Sequence, residues 1–361
     1  MNEFLKEMWW ERITGPHRVL SEMVEALVQC NHALLIASPY IAWRERLCAV
    51  VEEKYRQCVG SADCMFYFHD ANEFDAANIG ASLVRKYGLD AQPYRAGGKE
   101  TIQSYIIKNS ILKNRVVWIS AIAPGGLRNW IQFIQNYSVR NLDNGLFVLE
   151  VTEDNGNDIK HKNITSVFCS TSISSSDVRT YSEMVLGLEG TLEPQWCGYI
   201  AQCAANLCDC DADSALSLVS LPEMRKRDIS GALRTFSDVA LKLYSAEALQ
   251  KALWKAQIQV AFPLIELMRV DFINKWRIEI ERALLKQAAE QFGEIIYDPS
   301  DLELGTLYYM NKNKLSDNLY WLYIPAEEDR DWLSFLRNTR NTLAHGNVCS
   351  DEELIWLLDQ T

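Results

Sequence analysis

The chain has 361 residues, more than one hydrophobic core usually fills, so two domains joined by a small third element are expected. Hydrophobic residues make up 48% and charged residues 23%, which excludes a disordered chain. A formal net charge of -12 at pH 7 excludes a general nucleic-acid coat, because phosphate binding leans on Lys and Arg, and confines any such contact to a local patch.

The opening "MNEFLKEMWWERITGPH" mixes charges with aromatics and has no apolar h-region, so no signal peptide is expected. No uninterrupted apolar run reaches the ~18 residues of a membrane span, and no membrane partner is expected. The ten cysteines fall irregularly, mostly inside apolar stretches, as free thiols in a reducing compartment do. A cytoplasmic protein is expected.

Residues 1–175 alternate short apolar runs with helical patterns. "HALLIAS" (32–38), "CMFYFHD" (64–70), "RVVWIS" (115–120), "GLFVLEV" (145–151) and "TSVFCST" (165–171) each read as buried strands. Between them "WRERLCAVVEEKYRQC", "AANIGASLVRKYG", "ETIQSYIIKNSILK" and "LRNWIQFIQNY" read as helices covering a sheet. The alternation predicts a three-layer α/β domain with a mostly parallel sheet.

A strand, turn and helix at the start of such a domain invites comparison with a phosphate-binding loop, which needs glycines to wrap the phosphates, then Lys and Ser/Thr. The equivalent turn here, "ASPYIAWRERL" (37–47), has no glycine, no lysine and no Ser/Thr after a basic residue. The third strand ends in Ser120 and Ala121, where a hydrolytic ATPase carries acidic residues for its metal and water. This layout resembles the P-loop ATPase domains of the STAND and AAA type in a degenerate form that has lost its nucleotide motifs. No cofactor is called for. "RAGGKET" (95–101) looks like phosphate chemistry but follows no clear strand and reads as a surface turn. Cys197, Cys203, Cys208 and Cys210 lack the two-knuckle spacing of a structural zinc site, so no metal is expected.

After "CSTSISSSD" (169–177) strand signals stop, and the chain from about 180 onward reads as helix: residues 176–245 as a helical linker or small subdomain, and 246–361 as an all-α bundle. Apolar residues at Trp254, Ile258, Phe262, Ile265, Met268, Phe272, Trp276, Ile280 and Leu284 mark one face of a long helix. Pro263 is expected to kink it. "LELGTLYYM", "DRDWLSFLRNTRNTLAH" and "DEELIWLLD" supply further amphipathic helices.

In "DRDWLSFLRNTRNTLAHG" (329–346), Trp332, Phe335, Leu336, Thr339 and Leu343 mark the buried stripe of a helix that Gly346 stops. Ser350 and Glu353 form a capping box for the next helix. Arg340 and His345 lie roughly 140° apart around the first of these helices and share no face.

An arginine, a polar residue and a histidine after four intervening positions, near the end of a helical bundle, resemble the motif of HEPN domains; "RNTLAH" (340–345) carries it, with Asn341 in the polar place. The resemblance covers about residues 246–361. It implies metal-independent endoribonuclease chemistry, in which the 2′-hydroxyl of RNA attacks the adjacent phosphate. His345 would move protons, Arg340 would hold the phosphorane with its planar fork, and Asn341 would orient one or the other. It also implies a homodimer sharing one groove, and proteins of this kind act as toxin or anti-phage effectors. Against it, residues 301–361 hold 11 acidic and 5 basic side chains, and Arg340 and His345 can instead pair with "EEDRD" (327–331) or cap carbonyls. Residues 222–286 offset this with 12 basic against 8 acidic. Two functions stand: a regulated ribonuclease, or a non-catalytic scaffold or sensor subunit among other proteins of a defence or signalling complex.

Overall fold

A computed structural model describes residues 3–37, 41–60, 63–89, 94, 100–137, 144–152, 163–239 and 245–360. Most of "RAGGKET" (95–99) and residues 38–40 of the turn after the first strand lie outside these. The chain divides into two compact units, residues 1–181 with 210–213, and residues 182–209 with 214–361.

The first unit opens with α1 (Glu3–Arg12) and α2 (Thr14–Val28), then runs β1 (His32–Ala37), α3 (Arg44–Val59), β2 (Met65–Asp70), α4 (Ile79–Tyr87), α5 (Ile102–Lys108), β3 (Arg115–Ser120), α6 (Pro124–Tyr137), β4 (Leu146–Thr152), β5 (Ile164–Phe168) and the short α7 (Cys169–Ser172). All five expected strands are present and pair in parallel in the order β2-β3-β4-β1-β5. This is neither of the two common doubly wound orders. It inserts β4 between β1 and β3, with Leu35 opposite Glu150 and Trp118 opposite Val148. One sheet face packs Leu34, Val117, Phe147 and Leu149 against Leu83, Ile106, Trp130 and Ile134 from α4, α5 and α6. On the other face Tyr55 of α3 meets Phe66 at 5.6 Å between ring centroids. Helices therefore cover both faces. Two strands depart from expectation, and both are sheet edges: β2 is not buried, with Met65 45% and Phe68 40% exposed, and β5 buries only Ile164 and Val167 and ends at Phe168, so residues 169–171 of the expected strand are helical.

From α8 (Ser175–Glu189) the chain is mostly helical: α9 (Pro194–Cys208), α10 (Ala212–Val219), α11 (Pro222–Arg225), α12 (Ile229–Val239), α13 (Ala246–Lys275), α14 (Arg277–Lys286), α15 (Leu304–Lys312), α16 (Glu327–Ala344) and α17 (Asp351–Leu358). The expectation of an all-α second half is corrected by an antiparallel hairpin, β6 (Ala289–Gln291) and β7 (Glu294–Ile296). Its two-residue turn, Phe292 and Gly293, has φ of +53° and +85°, the left-handed pair that such hairpins need.

The long helix contains Pro263 and is interrupted at Trp276, whose backbone sits at φ -107°, ψ 21°, so the single expected helix is two. Ile265, Met268, Phe272 and Ile280 are buried as expected, but Trp254, Ile258, Phe262, Trp276 and Leu284 are only half-buried. Ala252, Ala256 and Ala261 are buried instead, and α9 packs along α13. In α16 the buried stripe is Leu333, Leu336, Thr339 and Leu343. Trp332 and Phe335 are half-buried and pack on Trp356 of α17, with centroids 5.0 and 4.1 Å away.

Candidate functional site

The end of α16 is built by its sequence. Gly346 takes φ +79°, and its N–H donates to Leu343 O at 3.1 Å while Asn347 N–H donates to Thr342 O at 3.0 Å, which closes the helix by the usual pair of reversed bonds. Ser350 and Glu353 exchange capping bonds at 2.8 and 3.2 Å and start α17. His345 sits at the hinge between the two as the C-cap residue, exposed, its N–H on Asn341 O at 3.0 Å.

Two side chains of α13 hold this hinge. Trp254 Nε1 donates to Leu343 O at 2.8 Å. Gln257, 1% exposed, grips the main chain of Cys349 from both sides: Cys349 N–H donates to its Oε1 at 2.8 Å, and its Nε2 donates to Cys349 O at 3.2 Å and to Tyr199 Oη at 3.3 Å. Burial pushes the Cys349 thiol up to about 12 and the Tyr199 phenol well above its ordinary value, so neither ionises near neutrality. Sequence reasoning missed Trp254 and Gln257 as supports, since an aromatic and an amide on a helix face read as core and surface.

Arg340 and Asn341 line a cleft of about 610 Å³. Its second wall is Phe262, Glu266 and Arg269 of α13, and its third is the segment carrying Ser300, Asp301 and Glu303. Arg269 is satisfied: its Nε donates to Glu266 at 2.9 Å and its Nη1 to Ser300 O and Leu302 O at 3.1 and 2.9 Å. The Arg340 guanidinium lies 5.9 Å from the centroid of the Phe262 ring and has no carboxylate partner among the described residues. Of the acidic run, Asp329 is engaged elsewhere, with Lys275 Nζ at 2.8 Å. Arg337, three residues earlier on α16, lies over Tyr308 at 4.6 Å. The cleft thus joins Arg340 and Asn341, whereas His345 does not line it. The i, i+4, i+7 spacing of Phe262, Glu266 and Arg269 was the signal for the second wall.

In the first unit, the loop after β1 rejoins the described residues at Ile41 and enters α3 through Trp43, which is in the left-handed conformation at φ 46°. Arg44 Nε donates to both Glu150 oxygens, at 2.7 and 3.0 Å, and Trp118 Nε1 donates to Glu150 Oε2 at 3.1 Å. Burial works against the Arg44 cation, but the Glu150 carboxylate outweighs it and holds its pKa above the ordinary value. An Arg–Glu pair therefore occupies the start of the helix that would face phosphate. At the end of β3, Ser120 Oγ donates to His69 O at 3.2 Å and Ala121 follows, with no carboxylate in either place. These residues do not fit a nucleotide and its metal.

No helix among the described residues is long and apolar enough to cross a membrane, and all ten cysteines are free thiols. No family model matches the chain, and no curated protein matches it. A solved structure, that of the ORC1 protein of Aeropyrum pernix in complex with DNA, aligns at 12% identity over 92% of this chain and 85% of that one, with a TM-score of 0.37. That likeness is too slight to carry a fold or a function.

Proposed function

We propose that the chain is a HEPN-type, metal-independent endoribonuclease effector, acting as a homodimer in a toxin or anti-phage role. Its first unit is a degenerate P-loop-like domain that docks or senses a partner. The observation that carries this reading is Arg340: a half-buried arginine held over an aromatic ring in a cleft, with Asn341 beside it and no carboxylate partner among the described residues. A guanidinium that ties the fold together has a partner, as Arg269 does; one left open in a cleft is available to an anion. His345 stands exposed at the end of the same helix, where a second protomer sharing the groove would set it against RNA. Its imidazole would take the 2′-hydroxyl proton or supply one to the leaving oxygen, and the Arg340 fork would bind the phosphorane.

For the first unit, the insertion of β4 between β1 and β3 supports the P-loop-like reading. The C-terminal ends of β1 and β3 both lie beside β4, where phosphate and metal chemistry would converge. The Arg44–Glu150 pair supports the loss of that chemistry.

The alternative, a non-catalytic scaffold or sensor subunit, is favoured by one observation. Asp301 and Glu303 share the cleft with Arg340, and His345 does not line it. Incubating purified protein with total RNA in EDTA separates the two. Cleavage by wild type and not by His345→Ala supports the nuclease; cleavage by neither supports the scaffold.

A further inference from the structure

The charges of the Arg340 cleft do not suit a site for phosphate alone. Glu266 and Arg269 neutralise each other at 2.9 Å, which leaves one open cation, Arg340, against two carboxylates, Asp301 and Glu303, neither with a cationic partner among the described residues. Asp301 is exposed, whereas Glu303 is half-buried, and both line the cleft. Glu303 is also the N-cap residue of α15, yet its side chain makes no capping bond. A half-buried carboxylate that neither caps its helix nor meets a cation is free to accept hydrogen bonds from a ligand.

We propose that this cleft is a guanylate site, with the phosphate on Arg340 and the guanine base read by Glu303. A carboxylate only accepts hydrogen bonds, and it offers two oxygens side by side. Its complement is a pair of adjacent donors on one edge. Among the four RNA bases only guanine has that pair, N1–H and N2–H₂ on its Watson–Crick edge. Adenine and cytosine set an acceptor nitrogen beside the amino group, and uracil flanks its single N–H with two carbonyls. The Asn341 amide can donate to the guanine O6 that flanks those donors. The Asp301 and Glu303 carboxylates repel a phosphate, which favours the ligand with its anionic part on Arg340. The volume of about 610 Å³ holds one nucleotide. Single-stranded RNA presents base edges in this way. A free guanine nucleotide carries the same chemistry.

The reading rests on the proposed nuclease only for RNA as the source, so the test is equilibrium binding, not cleavage. The four nucleoside 5′-monophosphates, and two pentaribonucleotides differing by one guanine-to-adenine change, are titrated into the full chain by calorimetry. GMP, or the guanine-containing pentamer, is expected to bind about tenfold or more tightly than its counterparts. Glu303→Gln should erase that preference with an unchanged melting temperature, since no cap is lost, and Arg340→Ala should weaken every ligand alike. Preference in the pentamer alone names RNA as the source, and equal preference with free GMP names the nucleotide. Absence of binding, or a guanine preference that survives Glu303→Gln, overturns the proposal. Guanine binding without RNA cleavage would keep this site and remove the nuclease; cleavage without base preference would do the reverse.

Discussion

Trp254 Nε1 donates to the carbonyl of Leu343 at 2.8 Å, so a side chain of α13 holds the last turn of α16 two residues before His345. With Gln257 holding Cys349 four residues beyond His345, the exposed histidine is bracketed by two fixed points. Trp254→Phe keeps an aromatic side chain of smaller size and removes the donor. It should cost about 1 kcal/mol, a fall of about 2–4 °C in melting temperature, while RNA cleavage drops further than that stability loss explains. Gln257→Leu should cost more, about 1–3 kcal/mol for each main-chain group left buried without a partner. Thermal melts beside cleavage rates check both; full activity in Trp254→Phe would show that Gly346 alone fixes the hinge.

The first unit should not turn over ATP, because Arg44 and Glu150 occupy each other where phosphate would sit and no carboxylate ends β3. Magnesium ATP should leave the melting temperature unchanged. Glu150→Ala should lower it by removing the acceptor of the buried Trp118 N–H, about 1–3 kcal/mol. Phosphate release above background that disappears in Arg44→Ala would contradict this account.

Acid should weaken the edge of the sheet. The Lys86 ammonium and the Asp70 N–H hold the Glu73 carboxyl down at about 2, below its usual value near ~4.3. The stabilisation is therefore present above the unfolded value and lost as pH falls from about 4.3 toward 2. Burial, with Lys86 nearby, lowers the pKa of His69, so its protonation in the unfolded chain also drains stability as pH falls below the ordinary histidine range. Melts from pH 7 to 2 should fall less steeply below pH 4 in Glu73→Gln than in wild type; identical profiles would remove Glu73 from the acid response.

Arg340→Lys distinguishes a phosphorane ligand from a point charge. If the planar fork binds two oxygens, the lysine should fail nearly as badly as Arg340→Ala, about 10²–10³ in rate, with the melting temperature little changed because no ion pair is lost. Wild-type cleavage in Arg340→Lys removes the fork from the mechanism, and a collapsed melt in both variants makes Arg340 structural.

Buried parallel strands read as continuous apolar runs, which is why the five runs from "HALLIAS" to "TSVFCST" were legible in the sequence, although residues 169–171 of the last are helical. Their exposure was not, because Met65 and Phe68 reach solvent only through the place of β2 at the edge. The hairpin at 289–296 was hidden by its length, three residues a strand, and by Phe292 in a conformation that aromatics rarely adopt. On α13 the apolar pattern weighted large side chains, while the buried positions include Ala252, Ala256 and Ala261, whose burial depends on what packs there. The end of α16 was legible to the residue, since Gly346 and the Ser350–Glu353 box act locally. The cleft facing Arg340 was not, because Glu266 and Glu303 meet it only through the fold.

The most direct test of the central claim is the chemistry of the cut ends. A defined single-stranded RNA is incubated with wild type and His345→Ala in EDTA, and the products are read by mass spectrometry. Attack by the 2′-hydroxyl leaves a 2′,3′-cyclic phosphate and a free 5′-hydroxyl, and a single 2′-deoxy substitution at the cut position blocks it. The account predicts cyclic phosphate ends in EDTA from wild type alone, absent at the deoxy position. Cleavage that persists there, or that His345→Ala retains in full, would contradict it.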